Sequence, residues 1–200
     1  MGLNSLKAFI APPAKIPFYL KIGIWISKRV TGKDLLPPKL LAWYPKTAIS
    51  SGILESLVAN GKKDLDKRIL KLVRVQSSFA VSCPFCVDMN SFEFEKVGIT
   101  EVEMSSIQRL IDINQVQTFS IREKIAMEYA SCISKSPISI PSTLVQELKK
   151  NFSEREIVIL AATVAQVNYW ARLLQGLGVP PAGFSDKCNL KSFSSDTASF

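Results

Sequence analysis

Along most of the chain apolar residues recur at spacings of three and four, the repeat of a helix face, and the turn signals that would bound a series of short strands are missing. Leu65, Ile69, Leu72, Val73 and Gln76 follow this spacing and predict an amphipathic helix over 64–80. A Ser or Thr with Glu three residues on marks three helix starts, Thr100/Glu103, Ser120/Glu123 and Ser153/Glu156, because each pair satisfies free backbone donors reciprocally. They open helices predicted over 100–111, 120–134 and 153–176, and a shorter one over 142–151 follows Pro141. The run from Ile157 to Val167 is apolar almost all round, which places that helix at the centre of the fold or in a subunit interface.

Further upstream, Pro37, Pro38 and Pro45 interrupt the chain before a helix predicted over 48–59, ending near Asn60-Gly61. Another helix is predicted from Pro84 to Val97, closed by Gly98. Ile16, Leu20, Gly23, Ile24 and Ser27 line one face of an N-terminal helix whose other side, Phe18, Ile22, Trp25 and Ile26, is apolar too, so it needs cover on both sides. The pattern is that of an all-α helical bundle: a single domain over 45–180, an N-terminal helical extension over 1–44, and a poorly ordered tail over 181–200.

Composition narrows the chemistry. The chain contains no histidine, which removes the usual neutral-pH base and the commonest metal ligand and excludes Ser-His-Asp catalysis and His-ligated zinc or haem. Its net charge of +8 comes without a nucleic-acid reader motif, and the lysines and arginines of 62–74 are interleaved with Asp64, Asp66 and apolar residues as on a solvated helix face, so nucleic acid is not an expected partner. Lys21, Lys28 and Arg29 flank Trp25, which fits a membrane-surface helix, but packing inside the protein or against a second subunit is the reading adopted. The first 18 residues lack a convincing secretory signal, so the expected location is cytoplasmic, and the myristoylation pattern fails because Leu6 stands where Ser or Thr is required.

Four cysteines remain, of which only Cys83 and Cys86 are close in sequence. Ser82-Cys83-Pro84 reads as a helix entry, with Pro84 at the first helical position, where its missing N–H costs nothing. Cys83 then caps the helix and Cys86 lies in its first turn, where free N–H groups and the positive dipole end favour a thiolate. Three readings are open for the pair: a reversible redox couple, two inert thiols, or half a metal site. Metal is disfavoured, because only Cys132, Cys188 or carboxylates could complete it, at spacings unlike zinc modules.

The stretch Leu72-Val73-Arg74, Ser82-Cys83-Pro84-Phe85-Cys86-Val87-Asp88-Met89-Asn90-Ser91 and Lys96-Val97-Gly98-Ile99 resembles the core of the alkylhydroperoxidase D and carboxymuconolactone decarboxylase superfamily. Val167-Asn168-Tyr169-Trp170-Ala171-Arg172 and Gly176-Leu177-Gly178-Val179 are similar to its closing helix. The resemblance spans roughly 45–180 and implies an alkylhydroperoxidase D-like helical bundle that forms homo-oligomers and has an antioxidant role. It implies a peroxide or disulfide substrate and a dithiol reductant protein as partners, with no cofactor and no metal. Carried over residue by residue, Cys86 is the peroxidatic cysteine and Cys83 the resolving one.

Two positions depart from the family pattern. Asn90 stands where the motif has a histidine four residues after the second cysteine, and Lys71 where it has a glutamate twelve residues before the first. The Glu–His–Cys proton relay is therefore absent as such, leaving Lys71 to act through its charge and Asn90 as a hydrogen-bond donor. Asp88 and Glu93 are the nearest carboxylates and read as solvent-facing; Glu55 or Tyr129 would join the site only through tertiary contacts. The enzyme reading expects an accessible, reactive cysteine. The competing reading is a non-catalytic or redox-sensing helical oligomer that has lost its relay.

Overall fold

The computed structural model describes residues 8–57 and 64–188. Among them are nine α-helices and no strand: α1 Phe18–Thr31, α2 Leu36–Leu40, α3 Pro45–Ser56, α4 Lys67–Ala80, α5 Pro84–Ser91, α6 Glu101–Ile107, α7 Ile121–Ile133, α8 Ser142–Asn151 and α9 Glu154–Gly176. The all-α expectation holds, and all three capping boxes form, with both reciprocal hydrogen bonds present at α6, α7 and α9. The end of the helix expected near Asn60-Gly61 lies outside the described residues.

At the centre, α4 packs against α5, α7 and α9 because its apolar residues occupy two sides of the helix. Ile69, Leu70 and Val73 join α7, α8 and α9 in one apolar cluster, while Leu72, Val75 and Phe79 join Val87, Phe94, Ile99 and Met104 in another. Each such side chain, fully buried, contributes about 1.5–3 kcal/mol. A third cluster, of Leu35, Leu40, Phe85, Ala171, Leu174, Val179 and Phe184, surrounds Cys83 and Cys86. Helix α9 is long and apolar enough to cross a membrane, yet it packs on α4, α5, α7 and α8. It leaves Val158 exposed to solvent.

Arg68, at the start of α4, ties this core together. Its guanidinium donates to Glu103 at 2.6 Å, to Glu123 at 2.5 Å and to the Gly98 carbonyl. Two capping-box glutamates thus converge on one cation, while the third, Glu156, pairs with Arg122 at 2.7 Å.

Two expectations need correction, and a third, the cover of the N-terminal helix, is not met within one chain. The helix predicted over 84–97 stops at Ser91; Glu93 takes a left-handed conformation (φ 56°) and 94–97 form a 3₁₀ turn, closed by Gly98 as expected. This break turns Phe94 into the core, and the Lys71 ammonium donates to the Phe92 carbonyl at 2.6 Å. The N-terminal helix α1 buries only Leu20 and leaves Phe18 78% and Trp25 63% exposed, so within one chain it lacks the cover its pattern calls for. Residues 181–188, read as a loose tail, instead form an ordered strap with Phe184 and Cys188 buried. Its backbone is held by side chains far away in sequence.

Candidate active site at the Cys83–Cys86 pair

The turn that delivers the cysteines is built by the end of α4. Ser82 adopts φ 49°, its N–H donates to the Phe79 carbonyl at 3.0 Å, and the Cys83 N–H donates to the Ser78 carbonyl at 3.2 Å. This is a Schellman closure with serine where glycine is usual, and the left-handed conformation costs a non-glycine residue on the order of 1 kcal/mol. Pro84 then opens α5, Cys83 is its N-cap in an extended conformation, and the Cys86 N–H donates to the Cys83 sulfur at 3.2 Å. The two sulfurs are joined in a disulfide, with Cα atoms 5.2 Å apart.

The expectation of an accessible cysteine is not met in the single chain: Cys83 is 0% and Cys86 3% exposed. They share one apolar cluster with the N-terminal extension (Leu35, Leu40), with α9 and its closing turn (Ala171, Leu174, Val179) and with the strap (Phe184). A cleft of about 310 Å³ is lined by Lys33, Asp34, Leu35, Leu36, Phe85 and residues 180–182. Phe85, between the cysteines in sequence, is the element of the pair's own helix that reaches it.

Asp88 is not solvent-facing. It is 4% exposed, and its carboxylate accepts N–H groups from Ala182 at 2.8 Å, Phe184 at 2.7 Å and Ser185 at 2.8 Å. A carboxylate so enclosed takes three backbone donors in place of water. Glu93 is exposed, as expected, and pairs with Lys96 at 2.7 Å. Asn90 donates from Nδ2 to the Ser78 hydroxyl at 3.0 Å, and that hydroxyl donates in turn to the Arg74 carbonyl at 2.7 Å, so Asn90 links α5 to α4.

Lys71 reaches Phe92, six residues beyond Cys86, which is about 9 Å along a helix axis at 1.5 Å per residue. Burial, with Arg74 nearby, pulls its pKa down to about 8, while Glu93 and the Cys188 thiol oppose the shift. Glu55 accepts from Gln166 and Trp170, both at 2.9 Å, and Trp170 packs against the cysteine cluster, so this carboxylate stands behind α9's aromatic face. Tyr129 lies in the α4–α7–α9 core, where burial raises its pKa. Burial likewise raises the Cys188 thiol, against hydrogen bonds from Ser91 and Ser185, so that sulfur is a poor nucleophile at neutral pH. Among the described residues no group of three or more Cys, Asp or Glu side chains is arranged to hold a metal ion.

Lys33 was not legible as a site residue. Its ammonium donates to the carbonyls of Ala182, at 2.9 Å, and Gly183, and lies 4.5 Å from the Phe184 ring centroid. A contact spanning 149 positions leaves no local signal in the sequence.

No family model matches the chain. The uncharacterized protein YnjA of Escherichia coli (strain K12) is 25% identical over 175 residues, 87% of this chain and 94% of that protein. Among solved structures, the alkylhydroperoxidase AhpD core of a peroxidase-related protein from Ralstonia eutropha JMP134 superposes with a TM-score of 0.70 at 16% identity, covering 89% of this chain and 93% of that one. The debrominase Bmp8, in complex with 2,3,4-tribromopyrrole, superposes with a TM-score of 0.72 at 16% identity, covering 90% and 95%. At these identities the likeness is one of fold. The resemblance read from the cysteine motif thus carries through to three dimensions: the chain has the all-helical fold of alkylhydroperoxidase D-like proteins.

Proposed function

We propose that the protein is a thiol-dependent peroxidase or disulfide oxidoreductase working through Cys83 and Cys86. The observation that carries this reading is the disulfide across the first turn of α5, with the Cys86 N–H donating to the Cys83 sulfur. The fold shared with peroxidase-related proteins supports it.

In the reduced protein, the Cys86 thiolate attacks a peroxide oxygen; the O–O bond breaks, the alcohol or water leaves, and Cys86 becomes a sulfenic acid. The Cys83 thiol then attacks that sulfur, closing the disulfide and releasing water. An external dithiol reverses this: one thiolate attacks Cys86, Cys83 leaves as a thiolate, and the second thiol displaces Cys86 while the dithiol is oxidised to its own disulfide. The Cys86 N–H and the positive end of α5 stabilise Cys83 as the leaving thiolate. With Asn90 in place of a base and Lys71 at the other end of α5, proton transfer falls to water, so turnover is slow. The exposed apolar side of α1 accords with a homo-oligomer in which a second copy covers it.

The test is peroxide consumption with excess dithiothreitol. Wild type should turn over repeatedly and Cys86→Ser should be inactive, while reduced Cys83→Ser, freed of dithiol before peroxide is added, should consume one equivalent and hold a sulfenic acid detectable by mass spectrometry. Turnover retained in Cys86→Ser would refute the assignment. A wild type that oxidises once and is not recycled by the dithiol would instead make the protein a redox sensor.

A further inference from the structure

We propose that the 181–188 strap is a gate over the Cys83–Cys86 disulfide, and that Lys33 and Asp88 are the positioning residues that hold it shut. This inference rests on the thiol–disulfide reading of the pair, and concerns how a reductant reaches it.

Three observations meet here. The disulfide is almost wholly buried, yet Phe184 of the apolar cluster that encloses it belongs to a strap with no regular secondary structure, which can lift without unfolding a helix. That strap is gripped over four residues by two opposite charges: Asp88 takes the N–H groups of 182, 184 and 185, and Lys33 supplies protons to the carbonyls of 182 and 183. The two charges come from the two sides of the opening, Asp88 from the helix that carries the cysteines and Lys33 from the N-terminal extension. Pro180, Pro181 and Ala182 form one wall of the cleft that leads to Phe85. Charge-assisted hydrogen bonds are roughly twice as strong as neutral ones, so five of them on so short a segment give the closed state a definite geometry. An attacking thiolate must approach a disulfide sulfur directly, and in the closed state the cover denies that approach.

Reduction is then limited by strap opening. In each event the external dithiol supplies two electrons, the Cys83–Cys86 bond breaks, both sulfurs end as thiols, and the dithiol closes to its own disulfide. Lys33→Met removes the clamp on the carbonyl side and should raise the rate of disulfide reduction by dithiothreitol, followed by alkylation and mass spectrometry, about tenfold, equivalent to about 1.4 kcal/mol in the opening equilibrium. Asp88→Asn should raise it at least as much. Lys33→Arg, which keeps the charge and the donors, should stay within about twofold of wild type; a merely structural loss would not discriminate between Met and Arg in this rate.

Because Asp88→Asn also loosens packing, hydrogen exchange on the oxidised wild-type protein provides an independent reading. The amides of 182, 184 and 185 should exchange through local opening far faster than those of Leu72 and Val73 in α4. Rates of reduction unchanged in Lys33→Met, or strap amides that exchange only as fast as α4, would overturn the gate. Neither measurement uses peroxide, so failure of the gate leaves peroxide turnover intact as a finding, and absence of turnover leaves the gate standing.

Discussion

Removing the Arg68 side chain tests whether the helices around the cysteine turn are held by one shared cation. In Arg68→Ala, the Glu103 and Glu123 carboxylates, 1% and 8% exposed at their side chains, lose the charge between them. Taking one partner from a buried ion pair costs about 3–5 kcal/mol. Here the lower end applies, because Arg68 is itself 21% exposed and both carboxylates keep other donors: Glu103 retains the Thr118 hydroxyl and the Thr100 N–H, and Glu123 retains the Ser120 N–H. A loss of about 3 kcal/mol lowers the melting temperature by about 6–12 °C for a chain of this size. Urea denaturation at pH 7 reads the loss directly. Its pH dependence carries the mechanism. Burial would raise the Glu103 carboxyl, but Arg68, Thr118 and the Thr100 N–H hold it below its ordinary 4.5. In the native protein this contribution is present above the unfolded value and lost as pH falls through the folded one. Without Arg68, burial gains the upper hand, Glu103 protonates at higher pH, and the deficit of the variant shrinks between pH 7 and 5. A loss below about 1 kcal/mol, the scale of an exposed pair, or one that does not change with pH, refutes the buried-cation argument.

Ser82→Gly should raise stability by up to about 0.5 kcal/mol, the left-handed penalty less the entropic cost of glycine; a lower melting temperature in thermal denaturation would contradict the strain assigned to that turn. Lys71 has its folded pKa drawn down to about 8 from 10.5, so the folded state binds fewer protons between those values and stability should rise with pH across that window. Lys71→Met should abolish this rise and be the more stable protein at pH 7; an unchanged difference between the two proteins from pH 7 to 10.5 in urea titrations would refute it. Asn90→His places a base one turn from Cys86 and should raise peroxide turnover about 100-fold, the lower end for positioned acid–base catalysis. The pH–rate profile should gain a limb near the ordinary histidine value of about 6.5, and a flat profile would dismiss the missing-relay explanation.

The local signals, each confined to a few neighbouring residues, were the ones the sequence carried by itself. Capping boxes at Thr100, Ser120 and Ser153, the Pro84 helix entry and the cysteine spacing all concern backbone groups within one turn, and all reappear in the fold. Tertiary structure alone decided what those elements meet: that two capping glutamates share Arg68, that Asp88 faces three strap amides instead of water, and that Lys33 closes the same strap across 149 positions. A carboxylate four residues from an N-terminus of α5 reads as solvent-facing because isolated Asp is costly to bury, and only the arrival of a distant backbone segment supplies the donors that make burial affordable. The close cysteine pair was written locally, whereas its burial depends on chain segments from both ends of the described fold.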